Sequence, residues 1–354
     1  MSAKDRSERS GRPKGSLEDR VEPKRIRNWQ ALTAAHRRRG ELITMFINPE
    51  STFPLAPKQS TPKGGRPRQF SNETIEALYT LKVMLRLPLR AVQGVAQAAS
   101  GWAHQRWAVP DYSTLCRRMA KLEIDIGARP SAAGERHVFI VDSTGLKVFG
   151  EGEWKVKVHG TNLHRTWRKV HLLVDRASGQ VVAVATTSNK VGDASVLPTL
   201  LPEGLCGDMV LGDGAYHTKD LHRTIFARGG TLLSPPPKNA RRWGRQTRIR
   251  DEPAFRFRNK QLTALRRRGR RNWKIESGCG QRSFVECTNH RLKSITGDRL
   301  AARTAAGQVN EVRIRCKVLN QLAVASCVLS PPPAPPMRRP LSVLALIAAN
   351  SLVA

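Results

Sequence analysis

The first part of the chain carries the apolar spacing of short helices. In the first helix the apolar positions are Ile75, Leu78, Leu81, Val83 and Leu85. Ser71 or Asn72 can cap this helix, and Pro88 predicts the start of a second one. Asp111 or Ser113 can cap a third. The pattern therefore predicts a compact unit of three short helices.

The third predicted helix is basic, because Arg117, Arg118 and Lys121 project from it. Three short helices with a basic third one are typical of a helix-turn-helix, whose last helix lies in the major groove of DNA. A trihelical packing unit without a DNA-binding role fits the same pattern equally well. Both interpretations stay open on the sequence.

Beyond residue 136 the apolar pattern changes to that of β-strands. The predicted strands cover residues 137–142, 170–175, 180–186, 208–213 and 231–234. The second and third of these flank the turn sequence RASG and predict a hairpin. Helices are predicted around residues 194–201, 217–228 and 282–326. Strands alternating with helices predict an α/β fold with a mixed sheet covered by helices.

These patterns divide the chain into four regions. They are a disordered basic arm (1–27), a helical, helix-turn-helix-like DNA-binding region (28–130), an α/β domain (136–326) and a Pro-rich apolar tail (327–354). The helical region opens with a short helix over residues 28–46, and a linker over 49–69 separates it from the three helices. A basic insertion occupies residues 236–275 of the α/β domain.

The charge of the chain points to a polyanionic partner. Its 354 residues contain 61 Lys and Arg but 28 Asp and Glu, a formal net charge of +33. So many positive charges repel one another in a compact protein unless a polyanion neutralises them, so nucleic acid is the first partner to consider. The alternative is an Arg-rich composition without a binding role. RNA recognition is a weak interpretation, because aromatic residues are 5% of the chain and no aromatic RNA-reading motif occurs.

Composition also excludes several other classes of protein. The six cysteines form no C-x-x-C pair, which argues against a zinc knuckle or a disulfide framework and fits a reducing compartment. No run of 18 apolar residues occurs, and the basic N-terminus has no apolar signal region. We therefore expect a cytoplasmic protein.

The most basic stretch is residues 238–274. It contains fifteen Lys or Arg and two acids, Asp251 and Glu252, a net charge of 15 − 2 = +13. We expect this block to lie along phosphates, with Arg266, Arg267 and Arg268 among the DNA contacts. Four aromatic residues interleave with the cations and can stack or anchor, namely Trp243, Phe255, Phe257 and Trp273. A solvated positive face is the alternative.

Two acids follow apolar strands of the predicted sheet. Asp142 and Asp213 each stand at the end of a predicted strand, where ligand and metal sites tend to form. A glycine follows each of them within a few residues, in DSTG and GDGAY, which lets the backbone turn away from the carboxylate. Taken singly, such an acid is more often a turn former than a ligand. Asp175 is excluded, because the RASG after it makes a simple hairpin turn.

A third candidate acid belongs to a helical stripe. Cys279, Arg282, Glu286 and Lys293 follow each other at spacings of 3, 4 and 7, which places them on one face of a helix. The simplest interpretation is an Arg282–Glu286 surface ion pair. The functional alternative joins Glu286 to Asp142 and Asp213 as three carboxylate ligands for two Mg²⁺ or Mn²⁺ ions, the arrangement used in phosphoryl transfer. Arg282 and Lys293 would then bind the phosphates of the cut strand.

These residues together resemble a known family. DSTG at 142–145, GDGAY at 212–216 and R-x3-E-x6-K at Arg282, Glu286 and Lys293 are similar to the motifs of the DDE transposases of bacterial insertion sequences, in particular insertion-sequence family five. The stretches NWQALTAAHRRRGEL, PDYSTLCRRMAKL, TWRKVHLLVD and RSFVECTNHRLKSITG look like segments of that family in the same order. The resemblance covers the chain from Trp29 to Asn320.

The resemblance implies a fold, a reaction and partners. It implies a ribonuclease-H-like catalytic domain over 136–326 after a helical DNA-binding region. Asp142, Asp213 and Glu286 would carry two Mg²⁺ ions, for which Mn²⁺ can substitute. The implied reaction is endonucleolytic cleavage at terminal inverted repeats, followed by attack of the freed 3′-OH on target DNA. Double-stranded DNA is the implied partner, and a homodimer would bring its two ends together. The implied location is the bacterial cytoplasm, in association with the nucleoid.

One position departs from the family pattern. The family signature Y-x2-R-x3-E-x6-K has its tyrosine where this chain has Cys279. A thiol cannot stack on a DNA end or hydrogen-bond it as a phenol does. A catalytically weak or inactive transposase-derived DNA-binding protein or repressor is therefore the alternative to an active transposase.

Overall fold

A computed structural model describes residues 69–102, 108–128, 136–148, 167–244 and 252–327, together with Gln30, Ala34 and Arg37. The predicted arm over 1–27, almost all of the linker over 49–69 and the tail from residue 328 onward lie outside the described residues. Of the predicted helix over 28–46, the structure describes Gln30, Ala34 and Arg37, and all three are helical.

The described chain alternates helices and strands as the pattern predicts. Its helices are α1 (Asn72–Leu85), α2 (Leu89–Trp102), α3 (Tyr112–Met119), α4 (Asp193–Leu200), α5 (Lys219–Ala227), α6 (Pro253–Glu276), α7 (Ser283–Thr296) and α8 (Ala305–Cys327). Its strands are β1 (Val138–Val148), β2 (Trp167–Asp175), β3 (Val181–Ser188), β4 (Met209–Leu211), β5 (Thr231–Leu233) and β6 (Arg299–Leu300). Two 3₁₀ turns cover Gly214–Tyr216 and Cys279–Arg282.

The strands form one mixed sheet of order β3-β2-β1-β4-β5, with β6 beside the far end of β1. β1 and β2 pair antiparallel, as do β2 and β3, whereas β4 is parallel to β1 and β5 is parallel to β4. This is the ribonuclease-H-like arrangement that the resemblance implies. The predicted hairpin is confirmed, because Asp175 accepts hydrogen bonds from Ser178 N and Oγ in the turn between β2 and β3.

Helices cover both faces of the sheet, which explains the continuous apolar run in β1. Phe139 and Val141 pack against α4 and α5 on one face, while Ile140 packs towards α7 and α8 on the other. Side chains of a strand alternate between the faces, so a strand covered on both sides needs apolar residues at successive positions. The alternation places Asp142 on the same face as Ile140.

The prediction that β1 ends at Asp142 is wrong. The strand continues six residues further, to Val148, and pairs with β2 up to Lys147 opposite Trp167. The glycine of DSTG was expected to turn the backbone, but Gly145 lies within the strand and makes no turn. It lies in the strand where a Cβ would come 3.0 Å from the Trp167 ring, so the glycine provides room for that ring.

The three N-terminal helices fold as predicted and pack against the last helix. Ser71 caps α1 by accepting from Thr74 N at 3.1 Å, and Asp111 caps α3 by accepting from Ser113 N at 2.8 Å. Apolar residues of α1 to α3 share one core with α8, namely Ile75, Leu78, Val92, Leu115 and Met119 with Ile314, Val318 and Leu322. On α8, Asn310 Nδ2 also donates to Met119 O and Leu122 O, at 2.7 and 2.8 Å. The helical unit is thereby attached directly to the α/β domain.

Among the described residues, no helix is both long enough and apolar enough to cross a membrane.

Candidate active site

Asp142 lies in the middle of β1, opposite Leu172 of β2, and its side chain is partly buried. Asn289 of α7 donates from Nδ2 to Asp142 Oδ2 at 3.0 Å. Burial raises the pKa of the Asp142 carboxyl, and the nearby carboxylates of Asp213 and Glu286 act in the same direction. A backbone hydrogen bond from Ser143 and the charge of Arg282 oppose the rise in pKa. The three predicted acids therefore lie close enough to act on one another electrostatically.

Asp213 follows β4 by two residues, and the strand register places it level with Asp142. Ile140 of β1 pairs with Leu211 of the parallel neighbour β4. Two residues further along each chain stand Asp142 and Asp213. Asp213 Oδ1 accepts from Ala215 N at 2.8 Å and so caps the 3₁₀ turn Gly214–Tyr216. The expectation of an acid at the end of a strand holds for Asp213.

The glycine that shapes this turn precedes Asp213. A Cβ at Gly212 would lie 2.9 Å from both Cβ and Cδ2 of Tyr216, whereas a Cβ at Gly214 would meet nothing within 4 Å. Tyr216 is buried beneath the turn, 1% exposed. A glycine was predicted to be needed after the acid. In the structure it is needed before the acid, at Gly212, where the chain passes over the ring of Tyr216.

Glu286 stands in the first turn of α7 and forms an ion pair with Arg282 one turn earlier. Its side chain is 52% exposed, so the pair contributes little to stability. Asn289, three residues after Glu286 on the same helix, is the residue that contacts Asp142. Asn289 was not among the predicted site residues, although its helical spacing of three from Glu286 is a signal that could have found it.

The predicted stripe of four side chains is only partly formed. Cys279 and Arg282 lie in a 3₁₀ turn rather than in α7, and Cys279 is 6% exposed within the apolar core. Burial raises the pKa of the Cys279 thiol. Lys293 lies two turns beyond Glu286 and does not line the cleft that Asp213 and Glu286 share.

A cleft of about 620 Å³ lies beside the acids. Asp213, Glu286, Arg282 and Cys279 line one part of it. The basic wall of the cleft is formed by Lys238, Arg270 and Lys274, together with the prolines at 235–237, and Asp142 is not among the lining residues. Acids next to several cations suit a phosphodiester, whose charge the cations balance while the acids act on its scissile bond.

The basic block supplies this wall through a bent helix. Gly269, with φ of 77°, interrupts α6 between Arg268 and Arg270. Arg266 Nη2 donates to Ala240 O at 2.7 Å, and Arg270 Nη2 donates to Pro236 O at 2.9 Å. Arg268 forms an ion pair with Glu276, and Arg267 is exposed. Of the three predicted DNA contacts in this block, Arg266 and Arg268 thus also hold the fold.

The interleaved aromatic residues anchor the block to the domain. Phe255 and Trp273 are 0% and 1% exposed, and Trp273 Nε1 donates to Gln261 Oε1 at 2.8 Å. The guanidinium of Arg258 lies 3.9 Å above the Trp243 ring and donates to His217 Nε2 at 3.2 Å. This buried network, absent from the sequence analysis, joins α6 to the segment that carries Asp213.

In the helical unit the two predicted DNA-binding arginines differ. Arg117 is exposed, and its Nε donates to Ser113 O at 3.3 Å within α3. Arg118 donates to Phe70 O and to Asn72 Oδ1, the latter at 2.6 Å, and so ties α3 to the start of α1. Arg118 therefore has a structural contact that the prediction did not include.

Comparison with known families accounts for this arrangement. Residues 133–321 match a family model described as a transposase DDE domain, and residues 37–151 match a second model of the same description. The first match alone covers more than half of the chain. The chain belongs to the DDE transposases. It is thus a DNA-acting enzyme of transposition and recombination, and members of this family use divalent metals, generally Mg²⁺.

The three candidate ligands are of the chemical type that binds such a metal. Within the described residues, no group of three His, Cys, Asp or Glu side chains is arranged to hold a metal ion. The three acids nevertheless offer hard carboxylate oxygens, which Mg²⁺ prefers, and two of them raise the pKa of the third. A cation between them would relieve that repulsion.

Proposed function

We propose that this DDE transposase belongs to insertion-sequence family five and acts on the terminal inverted repeats of its own element. The observation that carries the proposal is the shared level of Asp142 and Asp213 on adjacent parallel strands, with Glu286 within electrostatic reach. The motifs DSTG, GDGAY and R-x3-E-x6-K follow the order of that family.

In this proposal Asp142, Asp213 and Glu286 are the catalytic residues and hold two Mg²⁺ ions, which Mn²⁺ can replace. When bound, such ions supply positive charge at the attacking and leaving oxygens of the scissile phosphate. Asn289 fixes one oxygen of Asp142 by its hydrogen bond and so limits the directions in which that carboxylate can turn. Asp213 is oriented by the backbone N–H of Ala215.

The cations of the cleft bind the phosphates. Lys238, Arg270 and Lys274 line the same cleft as Asp213 and Glu286, so they can bind the phosphates of a strand whose scissile bond lies at the acids. Arg282 also lines the cleft and pairs with Glu286. A DNA phosphate that enters the cleft can replace Glu286 as the partner of the Arg282 guanidinium. Lys293 is the family's further phosphate-binding position. DNA binding thereby releases Glu286 for its role with the other two acids.

The proposed chemistry is two phosphoryl transfers. Water attacks the phosphorus at the end of the element, the bond to the 3′-oxygen breaks, and that oxygen leaves as a 3′-OH beside a 5′-phosphate. The freed 3′-OH then attacks a phosphorus of target DNA, forming a new phosphodiester and releasing the target's own 3′-OH. Neither step requires a covalent enzyme intermediate.

The test uses the purified full chain and labelled DNA that carries the gene with its native flanks. We expect nicks at defined positions with Mg²⁺ or Mn²⁺, none with EDTA, and none with Glu286→Gln. Glu203→Gln, which removes an exposed carboxylate outside the cleft, serves as the matched control and should cut normally. Cutting by Glu286→Gln at the wild-type rate would contradict the assignment.

A second candidate function rests on Cys279. A buried thiol stands at the position of the family's tyrosine. A transposase-derived DNA-binding protein that occupies or represses the repeats without cutting is therefore the alternative. Tight binding to the element's ends with no cleavage under either metal would favour it.

We further propose that two copies of the chain act together, because transposition joins two DNA ends. The sedimentation of the chain alone and with DNA carrying one or two ends would test this proposal. A complex with a single protomer on paired ends would contradict it.

A further inference from the structure

A second, larger groove lies between the helical unit and the α/β domain. Its volume is about 1070 Å³. One wall is formed by α1, the start of α2 and α3, and the other by the end of α7 and residues 297–304. The functional site described above uses none of its lining residues except Arg117.

The groove is strongly basic once its internal ion pairs are counted. Its two acids are Asp298 and Glu311. Glu311 is 1% exposed, pairs with Arg315 at 2.7 Å and accepts from Ala301 N and Ala302 N, whereas Asp298 pairs with Lys147 at 3.4 Å. Both carboxylates are thereby neutralised by partners outside or beneath the groove surface.

Arg86 also lines the groove, but its guanidinium donates to the backbone oxygens of Ser294 and Ile295. Five other exposed cations remain along the rim, namely Arg90, Arg117, Lys121, Arg299 and Arg303. Within the part of the chain that the structure describes, none of these five forms an ion pair with a carboxylate. Arg90 lies over the Tyr112 ring at 4.7 Å, which holds its guanidinium at the groove edge. Arg117 and Arg299 do act electrostatically on Asp111 and Asp298, which are exposed carboxylates. The cations of the groove still outnumber its acids, and such an excess complements a polyanion that lies along it.

Two independent elements connect this groove to the cleft. β1 runs from Asp142 to Val148, where it pairs with Leu300 of β6 at the groove wall. That is six residues, about 20 Å at the rise of a strand. α7 runs from Ser283, which lines the cleft, to Thr296, which lines the groove. Those thirteen residues also span about 20 Å at the rise of a helix.

We infer that the groove binds the phosphate backbone of the same duplex whose scissile phosphate enters the cleft. This inference rests on the proposed function and adds the path of the DNA to it. A distance of about 20 Å corresponds to about six base pairs at 3.4 Å each. The contact is to phosphates rather than to base edges, so it fixes the register of the DNA relative to the cut and is independent of sequence.

The helical unit then acts as one wall of a DNA channel. Arg117 lies in the last turn of α3 and Lys121 two residues after its end, and both line the groove together with Arg299 and Arg303. This role needs no insertion of α3 into a major groove. It explains why the helical unit is fixed to the α/β domain through α8: a channel keeps its spacing only when its walls are held together.

The test measures binding of the full chain to duplex DNA of the element's end, over a range of salt concentrations and in EDTA, so that cleavage is not needed. In Arg117→Gln/Lys121→Gln, we expect the slope of log affinity against log salt to fall by about two units, one per lost phosphate contact. The control is Arg136→Gln/Lys219→Gln, which removes two exposed cations away from groove and cleft and should leave the slope unchanged.

A length series locates the contact. With the duplex extended stepwise from the cut position, wild-type affinity should rise once about six base pairs are present on the groove side. That rise should be lost in Arg117→Gln/Lys121→Gln. Equal slopes for the two double variants, or no rise with length, would overturn the inference and leave the groove to a protein partner.

Failure of the proposed function gives a different result. If the wild-type protein cuts nothing yet the groove variant weakens binding, the groove assignment stands and the catalytic one falls. If the protein cuts normally and the groove variant binds as the wild type does, the groove assignment falls and the catalytic one stands.

Discussion

Asp142 and Asp213 stand at the same level of two adjacent parallel strands, each two residues beyond the Ile140–Leu211 pair. Asp142 is still inside its strand there, whereas Asp213 has already left β4 and caps a turn. One carboxylate is therefore held by the sheet and the other by a tight turn. The site depends on both, and each can be perturbed separately.

Removing either charge should abolish cleavage while DNA binding persists. For Asp142→Asn and Asp213→Asn we expect the cleavage rate to fall by about 100-fold or more, since each change removes a carboxylate worth several kcal/mol to a charged transition state. Gel-shift affinity should change little, because the cations of the cleft remain. Asp220→Asn, which alters an exposed acid at the start of α5, is the control. Wild-type cleavage by Asp213→Asn would remove that residue from the site.

Asn289 should matter for cleavage more than for folding. Asn289→Ala removes the donor to Asp142 Oδ2, and a hydrogen bond to a charged group contributes about 1.5–3 kcal/mol. We expect a roughly tenfold slower cleavage rate with nearly unchanged affinity for DNA. Asn289→Gln, which keeps an amide at a different reach, should recover part of the rate. Equal rates for wild type and Asn289→Ala would show that Asp142 needs no partner on α7.

The two glycines of the GDGAY segment offer a matched pair. Gly212→Ala places a methyl group 2.9 Å from Tyr216 and must displace the turn that carries Asp213, at a cost of about 1–3 kcal/mol in stability. Gly214→Ala meets open space and should be tolerated. Thermal unfolding and cleavage assays of the two proteins check this. Equal melting temperatures would mean that the turn can relax around the new methyl group.

Stability should fall in mild acid because of two buried histidines. Burial lowers the pKa of His217 to about 4 and that of His222 to about 3, against 6.5 in the unfolded chain. As the pH falls, these histidines are protonated in the unfolded state before they are protonated in the folded state. Their contribution to the free energy of unfolding is therefore complete above pH 6.5 and is lost as the pH falls towards 4. Denaturant unfolding at pH 7.5 and pH 5 measures it. His222→Gln should lose less stability between these two pH values than wild type; an identical loss would assign the acid sensitivity to other groups.

The sequence predicted the order of the elements because each element turns most of its apolar positions towards one of the three apolar cores, two on the faces of the sheet and one in the helical unit. The hairpin of β2 and β3, the strand before Asp213 and the cap at Asp111 all follow from local signals. The end of β1 was mispredicted because polar residues after Val141 resemble a loop, while pairing with β2 and β6 keeps them in the strand. Such pairing partners lie far away in sequence and leave no local signal.

In the candidate site, too, the residues with local sequence signals were predicted, whereas the contacts between distant residues were not. The resemblance and the strand ends led to Asp142 and Asp213, and the helical spacing led to the Arg282–Glu286 pair. The helical spacing from Glu286 could have placed Asn289 near the acids, but not its hydrogen bond to Asp142, which joins residues 147 positions apart. The contact of Arg258 with His217 joins residues 41 positions apart and leaves no local signal. Burial of Cys279 was also missed, since the helical stripe placed it beside charged residues.

Replacing Cys279 decides between the two candidate functions. Cys279 packs against the apolar core on one side and lines the cleft of about 620 Å³ on the other. A larger side chain therefore has space on the cleft side, where the DNA is expected. We expect Cys279→Tyr to cut at least as fast as wild type, because a phenol can stack on a DNA end and donate a hydrogen bond to it. Cys279→Phe is the matched control, with the same ring and no hydroxyl. A gain in cleavage by tyrosine alone assigns the effect to the hydroxyl, and an equal gain by both assigns it to stacking. A clear loss in Cys279→Tyr, with DNA binding and melting temperature unchanged, would show that the thiol has a role of its own in this chain.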